Sequence, residues 1–398
     1  MAHPMCERIA LSAGTLLVAL AVTGSAGPAP AQGQPGRIVA VADIHGSLSG
    51  LTQILRAAGI VDGANAWIGG NARLVQTGDF LDRGADVRQV MDLLMRLESE
   101  ARRGGGSVEV LFGNHEGMNL LHDFRDVAPG AYAAFADRRS DERRRRAFDA
   151  HAALARRAGE RLEQEAWMAA HPPGYVEYVE ALAPRGRYGR WIRSRKVAVQ
   201  IDGTLFMHAG INPAQPAPRS INEVNDRARA EIRRMDQYRQ RLIARKLADP
   251  SSTLQQVLDI SARELQRASE ALAANKADGT PLPEFDVPLL REAQGILDIA
   301  TWSLVDPDGP MWFRGYALWN EAETTAQVFT LLDSLKLTRV VVGHSVTPDR
   351  KITARYNQRV LLIDTGMLTS AYKGTPAALE IRGAALKAIY PSGEVSIP

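Results

Sequence analysis

Cysteine is nearly absent from this chain: Cys6 is the only one in 398 residues. A lone thiol excludes an internal disulfide framework and any Cys-rich zinc or iron–sulfur site. Charge of one sign is missing too. The 48 Lys and Arg nearly balance the 45 Asp and Glu, and a net +3 on a chain this long specifies no nucleic-acid partner. No low-complexity linker or internal repeat divides the sequence. The apolar run Ile9 to Val22 is too short to span a bilayer comfortably. What is present is a 45% hydrophobic content, ample for a real core, which rules out a wholly disordered chain. The length alone suggests two to three domains, although one elaborated α/β domain also fits.

The N-terminal segment reads as an export signal. Arg8 and the α-amino group precede the Ile9–Val22 run, a Gly/Pro/Ala-rich stretch follows, and Ala29-Pro30-Ala31 offers the small-x-small pattern of a cleavage site. A membrane anchor begins in the same way, but the shortness of the run favours cleavage. The expectation is a signal peptide over 1–31, a mature chain over 32–398 starting at Gln32, and a periplasmic or secreted protein without stable membrane association. Removing 1–31 takes away one Arg and one Glu, so the charge stays at +3, and it also takes away Cys6. A thiol nucleophile is thereby excluded from the mature protein.

The mature chain has a strand–loop–helix rhythm. Ile38 to Val41, Leu74-Val75, Val108 to Phe112, Thr204 to Met207 and Val340 to Val342 are apolar runs, each leading into Gly, Asp, Asn or His. They read as buried strands that deliver polar residues at their C-terminal ends. Between them, Val87, Val90, Met91 and Leu94, and again Val328, Leu331, Leu332 and Leu335, fall at helical spacing. The fold class expected is α/β with a site on the C-terminal edge of the strands. Two helix-prone stretches, about 131–180 and 222–299, interrupt the rhythm and read as insertions capping that site. Leu254, Val257, Leu258 and Leu265 give the second its helical spacing. Arg143-Arg144-Arg145-Arg146 in the first reads as a solvated helix face balanced by Asp141, Glu142 and Asp149, which leaves no signal for nucleic acid.

Five short motifs follow the strands: Asp43-Ile44-His45-Gly46, Gly78-Asp79-Phe80-Leu81-Asp82-Arg83-Gly84, Gly113-Asn114-His115-Glu116, His208-Ala209-Gly210 and Gly343-His344. Their donors are carboxylates, an amide oxygen and imidazoles, with no thiolate. That set suits Mn²⁺, Fe or Zn²⁺ and fits poorly with copper(I) or iron–sulfur clusters. Each motif alone is weak, since a buried Asp or His at a strand end is more often a capping residue. Five in this order are unlike chance.

In this order the motifs resemble the phosphoprotein phosphatase branch of the calcineurin-like metallophosphoesterases. Val341-Val342-Gly343-His344-Ser345 and Ile363-Asp364-Thr365-Gly366-Met367 are most similar to the bacterial Shewanella-like phosphatases. The resemblance runs from about Arg37 to Ile381. It implies a two-sheet αββα sandwich and two divalent ions, Mn or else Fe or Zn. Asp43, His45 and Asp79 would hold the first ion, with Asp79 bridging to a second completed by Asn114, His208 and His344. Between two such ions a water is acidified enough to attack phosphorus in line. Asn114, Arg83 and Arg314, the last in Pro310-Met311-Trp312-Phe313-Arg314-Gly315, would bind phosphate. His115 would be the general acid, oriented by Asp82.

The remaining residues have plainer readings. His122, His151 and His171 match no motif and read as structural. Trp302 and Trp312 read as packing, and Glu116 as support for its loop. Arg314 could instead pair with a surface carboxylate. Ala42 and Ala209 stand where the family usually has glycine, and both are small enough to keep the ligands in place. The function expected is a metal-dependent phosphomonoesterase acting on phosphoproteins, with phosphotyrosine among the candidates. A same-chemistry alternative is hydrolysis of small phosphoesters or dinucleotide polyphosphates, and a different-class alternative is an inactive phosphate-binding module.

Overall fold

The apolar runs become strands that stack into two sheets. A computed structural model describes residues 36–398; the expected signal segment and Cys6 lie outside the described residues. Among these, β1 is Ile38–Val41, β2 Arg73–Gln76, β3 Ser107–Val110, β4 Ala198–Ile201, β5 Thr204–Met207 and β6 Arg339–Val342. The rest are β7 Thr353–Arg355, β8 Val360–Leu362, β9 Ala378–Arg382, β10 Ala385–Tyr390 and β11 Gly393–Ile397. One sheet runs β11-β10-β9-β1-β2-β3 and the other β4-β5-β6-β8-β7. β1, β2 and β3 are parallel, in register Val39↔Leu74↔Val108, and β5, β6 and β8 are parallel, in register Phe206↔Val341↔Leu361. Both parallel sets therefore release their C-terminal loops toward one edge, where polar residues can meet. The run Val108 to Phe112 is shorter as a strand than its sequence suggests. Leu111 makes only an isolated bridge to Lys196, and Phe112 already turns into the next loop.

Alternation within the strands sets the layers. Ile38, Ala40 and Val75 pack in one apolar cluster with Phe206, Val341 and Leu361 of the other sheet, filling the space between the sheets. Val39, Val41 and Leu74 face the other way, onto helices Leu48–Ala57 and Val87–Arg103. Val340 and Val342 face helix Glu321–Ser334 through Val328, Leu331 and Leu332. This is the αββα sandwich. Strands this apolar on both faces are what two covering helix layers require.

Both helical stretches are present, the first running on to Arg193 beyond the expected 180, and neither lines the site. The first spans helices from Pro129–Ala133 to Arg187–Arg193, and the second comprises Ile221–Ala244, Leu254–Asp278 and Val287–Leu297. Both join the apolar cluster on the outer face of the β1 sheet, through Tyr178, Ile232, Tyr238, Val257 and Leu289. Neither contributes a residue to the lining of the site cavity described below. They buttress helix Asn114–Leu121 from behind. Amphipathic spacing shows that a helix has an apolar face, not which surface that face covers. Arg145 and Arg146 lie on a solvated face, whereas Arg144 turns inward and donates to His171 O and Met168 O; Arg143 pairs with Asp137 and Glu180, Arg144 with Asp141, and Arg146 with Glu142. Asp149, expected among their partners, forms no such pair among the described residues.

Candidate metal centre

Each strand-end loop is fixed by its neighbour. The amides of Ile44 and His45 both donate to Asp79 O at 2.9 Å, tying the β1 loop to the β2 loop. The His115 amide donates to Asp79 Oδ1 at 3.0 Å, and the His344 amide to Asp43 Oδ1 at 3.0 Å, which brings in β3 and the second sheet. Gly343 N donates to His208 O at 2.8 Å. Close approach explains two glycines: a Cβ at Gly113 would lie 2.2 Å from Asp79 Oδ1, and one at Gly343 would lie 2.3 Å from Asp43 Oδ1. Ala42 and Ala209 are both buried.

The turn that carries Asp79 is strained and must be held. His45, Asp79, Asp82, Arg83 and His344 have φ of +47°, +59°, +66°, +64° and +64°. A left-handed conformation outside glycine costs about 1–3 kcal/mol each and persists only where the surroundings over-determine it. Glu116 does much of that. Its carboxylate accepts from the amides of Asp79 (2.8 Å), Phe80 (3.0 Å), Leu81 (3.0 Å) and Gly113 (2.8 Å), gripping two loops at once.

Three imidazoles are oriented by backbone carbonyls. His45 Nδ1 lies 3.0 Å from Leu81 O, His208 Nδ1 3.1 Å from Thr77 O, and His344 Nε2 3.1 Å from Trp312 O. A carbonyl only accepts, so those nitrogens donate and the opposite nitrogen of each ring presents a lone pair. The lone pairs converge. His208 Nε2 lies 3.0 Å from His344 Nδ1, 2.8 Å from Asn114 Oδ1 and 3.3 Å from Asp79 Oδ2. His45 Nε2 lies 3.7 Å from Asp79 Oδ2 and 4.0 Å from Asp43 Oδ2. Acceptors facing acceptors in a buried site call for cations between them, and carbonyl-anchored imidazoles are how proteins prepare such ligands. Two groups emerge, His45–Asp79–His115 and Asp79–His208–His344, with Asp79 common to both. The donor set fits two divalent cations sharing Asp79.

The local charges of His45, Asp43 and Asp79 fit cations at this site, whereas at His208 burial is overridden by Asp79, which raises it above the usual imidazole value. Burial pushes His45 down to about 3, keeping it a neutral donor. Burial together with the charges of Asp364 and Asp79 raises Asp43 well above the usual carboxylate range, a sign of negative charge that lacks a counter-ion. Burial acts against ionised Asp79 as well, but His208 and His115 hold its carboxyl well below the usual range.

His115 differs from the other three imidazoles. Its Nδ1 is held by a carboxylate, Asp82 Oδ2 at 2.7 Å, and its Nε2 faces the cavity 3.8 Å from Asp79 Oδ2. Burial opposes its charged form, but Asp79 and Asp82 override that and push it up to about 9. Asp82 Oδ1 in turn accepts from Asn119 Nδ2 at 2.8 Å, and Asn119 Oδ1 accepts from the Tyr178 hydroxyl at 2.6 Å. The helical insertion thus reaches the site from beneath. Replacing Tyr178 with Phe is expected to cost about 1 kcal/mol in urea unfolding, the typical worth of one buried hydrogen bond.

These groups open into a cavity of about 590 Å³. Asp43, His45, Asp79, Asn114, His115 and His344 form its floor, while His208 is fully buried beneath it. Arg83 and Arg314 reach it from opposite loops. Arg314 Nη1 donates to His344 O (3.0 Å) and Ser345 Oγ (3.1 Å), so the surface carboxylate partner is not found. Trp312, expected to be packing, is a wall: its Nε1 donates to Leu304 O at 2.9 Å and its ring meets His344 edge-on at 5.9 Å. Trp302 is buried as expected. His122, His151 and His171 bond to Ser252 O, Ser251 Oγ and Trp167 O away from the cavity.

Four polar cavity residues, besides the apolar Met118 and Val346, were given no role by the sequence. Tyr372 lies with its ring 5.3 Å from the Arg83 guanidinium carbon and 5.6 Å from the His45 ring. Asp126 stands 3.5 Å from Arg83 Nη2, and Arg125 lies beside it on the rim. Asp364 lies in the wall, nearly fully buried. Only Asp364 had a sequence signal, since it sits in Ile363-Asp364-Thr365-Gly366-Met367; Arg125 and Asp126 come from a loop and Tyr372 from the short helix Thr369–Tyr372, none with a motif.

Comparison with known proteins gives a consistent picture. An uncharacterised protein of Schizosaccharomyces pombe (strain 972 / ATCC 24843) is 27% identical over 353 residues, covering 87% of this chain and 77% of its own length. The Shewanella-like protein phosphatase 1 of Plasmodium berghei (strain Anka) is 24% identical over 344 residues, covering 86% and 70%. Among solved structures, the cold-active protein-tyrosine phosphatase of a psychrophilic Shewanella species shares the fold, with a TM-score of 0.56 at 20% identity over 92% of this chain and 81% of that one. The family model for calcineurin-like phosphoesterases matches residues 36–241, a span that holds Asp43, His45, Asp79, Asn114 and His208. His344, beyond the match, is brought to the same site by β6. The chain therefore belongs to the calcineurin-like phosphoesterase family and is a hydrolase of phosphoesters.

Proposed function

We propose that the protein is a metal-dependent phosphomonoesterase acting on phosphorylated proteins, with phosphotyrosine as its preferred residue and Mn²⁺ as its working ion. The observation that carries the reading is the arrangement of one site: a carboxylate–imidazole pair, His115–Asp82, and two arginines beside the converging ligand atoms of Asp43, His45, Asp79, Asn114, His208 and His344. The names of the relatives support the phosphoprotein substrate. Asp43, His45 and Asp79 would hold one cation, and Asp79, Asn114, His208 and His344 the other. Two such cations, when bound, neutralise phosphate charge and acidify a water to near-neutral pH.

The side chains supply the rest. Arg83 and Arg314 grip phosphate oxygens with paired N–H donors. The charge-assisted pair with Asp82 keeps the His115 ring turned so that its Nε2–H points into the cavity, where that proton passes to the departing oxygen. Asp82 then stabilises the ring through Nδ1. Trp312 and Tyr372 give the cavity aromatic walls that suit an aryl leaving group.

Turnover of a phosphotyrosine peptide, a phosphoserine peptide and diadenosine polyphosphate with Mn²⁺ tests the substrate class. The reading expects the phosphotyrosine peptide to be best; turnover of the dinucleotide alone overturns it. Thiol alkylation is expected to leave the rate unchanged, because no described residue near the site is cysteine. Export over 1–31 and a periplasmic or secreted location belong to the same proposal. A mature N-terminus at Gln32 on purified periplasmic protein is the expected result.

A further inference from the structure

The ligand set assigned above leaves one buried carboxylate unexplained. Asp364 follows β8 and lines the site cavity beside Asp43, yet it has no role in gripping phosphate or moving a proton. Only 3% of it is exposed. Its Oδ1 accepts from its own loop, the Gly366 amide at 2.9 Å, and its backbone carbonyl accepts from the Thr347 amide at 3.0 Å. These bonds fix the carboxylate in place. Among the described residues no donor reaches Oδ2, and no Lys, Arg or His nitrogen comes within ion-pair distance. The charge of Arg314 reaches Asp364, but the two form no ion pair, and Arg314 Nη1 donates to His344 O and Ser345 Oγ.

A buried carboxylate with one open oxygen is costly unless a cation compensates it. Asp364 feels the charge of Asp79, opposed in part by His208 and Arg314, and Asp43 feels that of Asp364 more strongly than that of Asp79, so three carboxylates crowd one side of the cavity. The Asp43 side of the centre is where that excess negative charge sits. The His208–His344 side has imidazoles instead.

We infer that Asp364 is a positioning residue for the cation pair: rigidly held by its own loop, it strengthens binding of the ion on the Asp43–His45 side, acting through Asp43 and the field in the cavity rather than on the substrate. This rests on the two-cation reading above. Outer carboxylates around metal ligands typically change affinity about 10–100-fold.

The test is titration of Mn²⁺ alone into chelator-stripped full-length protein, followed by calorimetry and by the signal of free Mn²⁺ in electron paramagnetic resonance. Asp364→Asn keeps the oxygen that accepts from Gly366 and removes only the charge. The expected result is two equivalents bound by the wild type and, in the variant, one equivalent weakened about 10–100-fold while the other is retained. A merely structural role would not weaken one equivalent selectively. Two equivalents with wild-type affinities in Asp364→Asn overturn the inference and leave the two-cation reading intact. Fewer than two equivalents in the wild type overturn that reading itself. If Asp364→Asn does not fold, by circular dichroism with and without Mn²⁺, Asp364→Ser is read in the same way. Failure of both to fold makes Asp364 a structural residue and also overturns the inference.

Discussion

Replacing His115 with Asn is expected to lower turnover of alkyl phosphate esters by about 10²–10⁴-fold, the usual worth of a placed general acid. The same variant should still bind two equivalents of Mn²⁺, because the carbonyl-anchored donors of His45, His208 and His344 are untouched. Its loss should shrink as the leaving group improves, since a nitrophenoxide departs without a proton and an alkoxide does not. Comparing kcat for an alkyl ester and a nitrophenyl ester in wild type and variant checks this. Equal losses on both esters would assign His115 to ion or phosphate binding. Unchanged turnover of the alkyl ester would remove it from the mechanism.

Glu116→Ala carries the largest expected effect on stability. The side chain touches no substrate, yet it satisfies four buried amides, those of Asp79, Phe80, Leu81 and Gly113. An unsatisfied buried donor costs about 1–3 kcal/mol, so leaving all four amides without an acceptor is expected to cost about 4 kcal/mol or more. That is a large part of the stability of an ordinary domain, about 5–15 kcal/mol. The left-handed Asp79 turn would lose its restraint at the same time. Glu116→Gln should not rescue it, because its NH₂ group would confront the two amides that Oε2 now accepts. Urea unfolding monitored by circular dichroism gives the result; a loss below about 1 kcal/mol for Glu116→Ala would show that water or other oxygens replace the carboxylate.

Much of this was legible in the sequence for a local reason. A buried parallel strand is a short apolar run, and the residues placed at its end follow it directly in the chain. Ile38 to Val41 followed by Asp43 and His45 is such a case, as is Val340 to Val342 followed by His344. Asp43, His45, Asp79, Asn114, His208 and His344 could be named one motif at a time, and the fold gathers all six.

What the sequence did not show depends on distance in the chain. Asn119 serves Asp82 across 37 positions and Tyr178 serves Asn119 across 59, and no spacing announces either bond. Tyr372 reaches Arg83 because the β8 loop folds over the β2 loop, and its own segment carries no motif. The backbone conformation of Asp79, Asp82 and Arg83 was equally hidden. A left-handed turn normally suggests glycine, and here the Glu116 clamp lets other residues adopt it. The helical insertions show the same limit. Their apolar faces were visible, but the structure turns them onto the outer face of the β1 sheet and leaves the cavity walls to connecting segments bearing Asp126, Trp312 and Tyr372.

The central claim is that the converging Asp and His side chains hold two cations on which phosphoester hydrolysis depends. The most direct measurement is turnover of a phosphotyrosine peptide against equivalents of Mn²⁺ added to chelator-stripped protein, with bound ions counted in the same samples. The account predicts negligible turnover without ions and activity that rises to its full value only as the second equivalent binds. Full turnover in the stripped protein, or none with both equivalents bound, would contradict it.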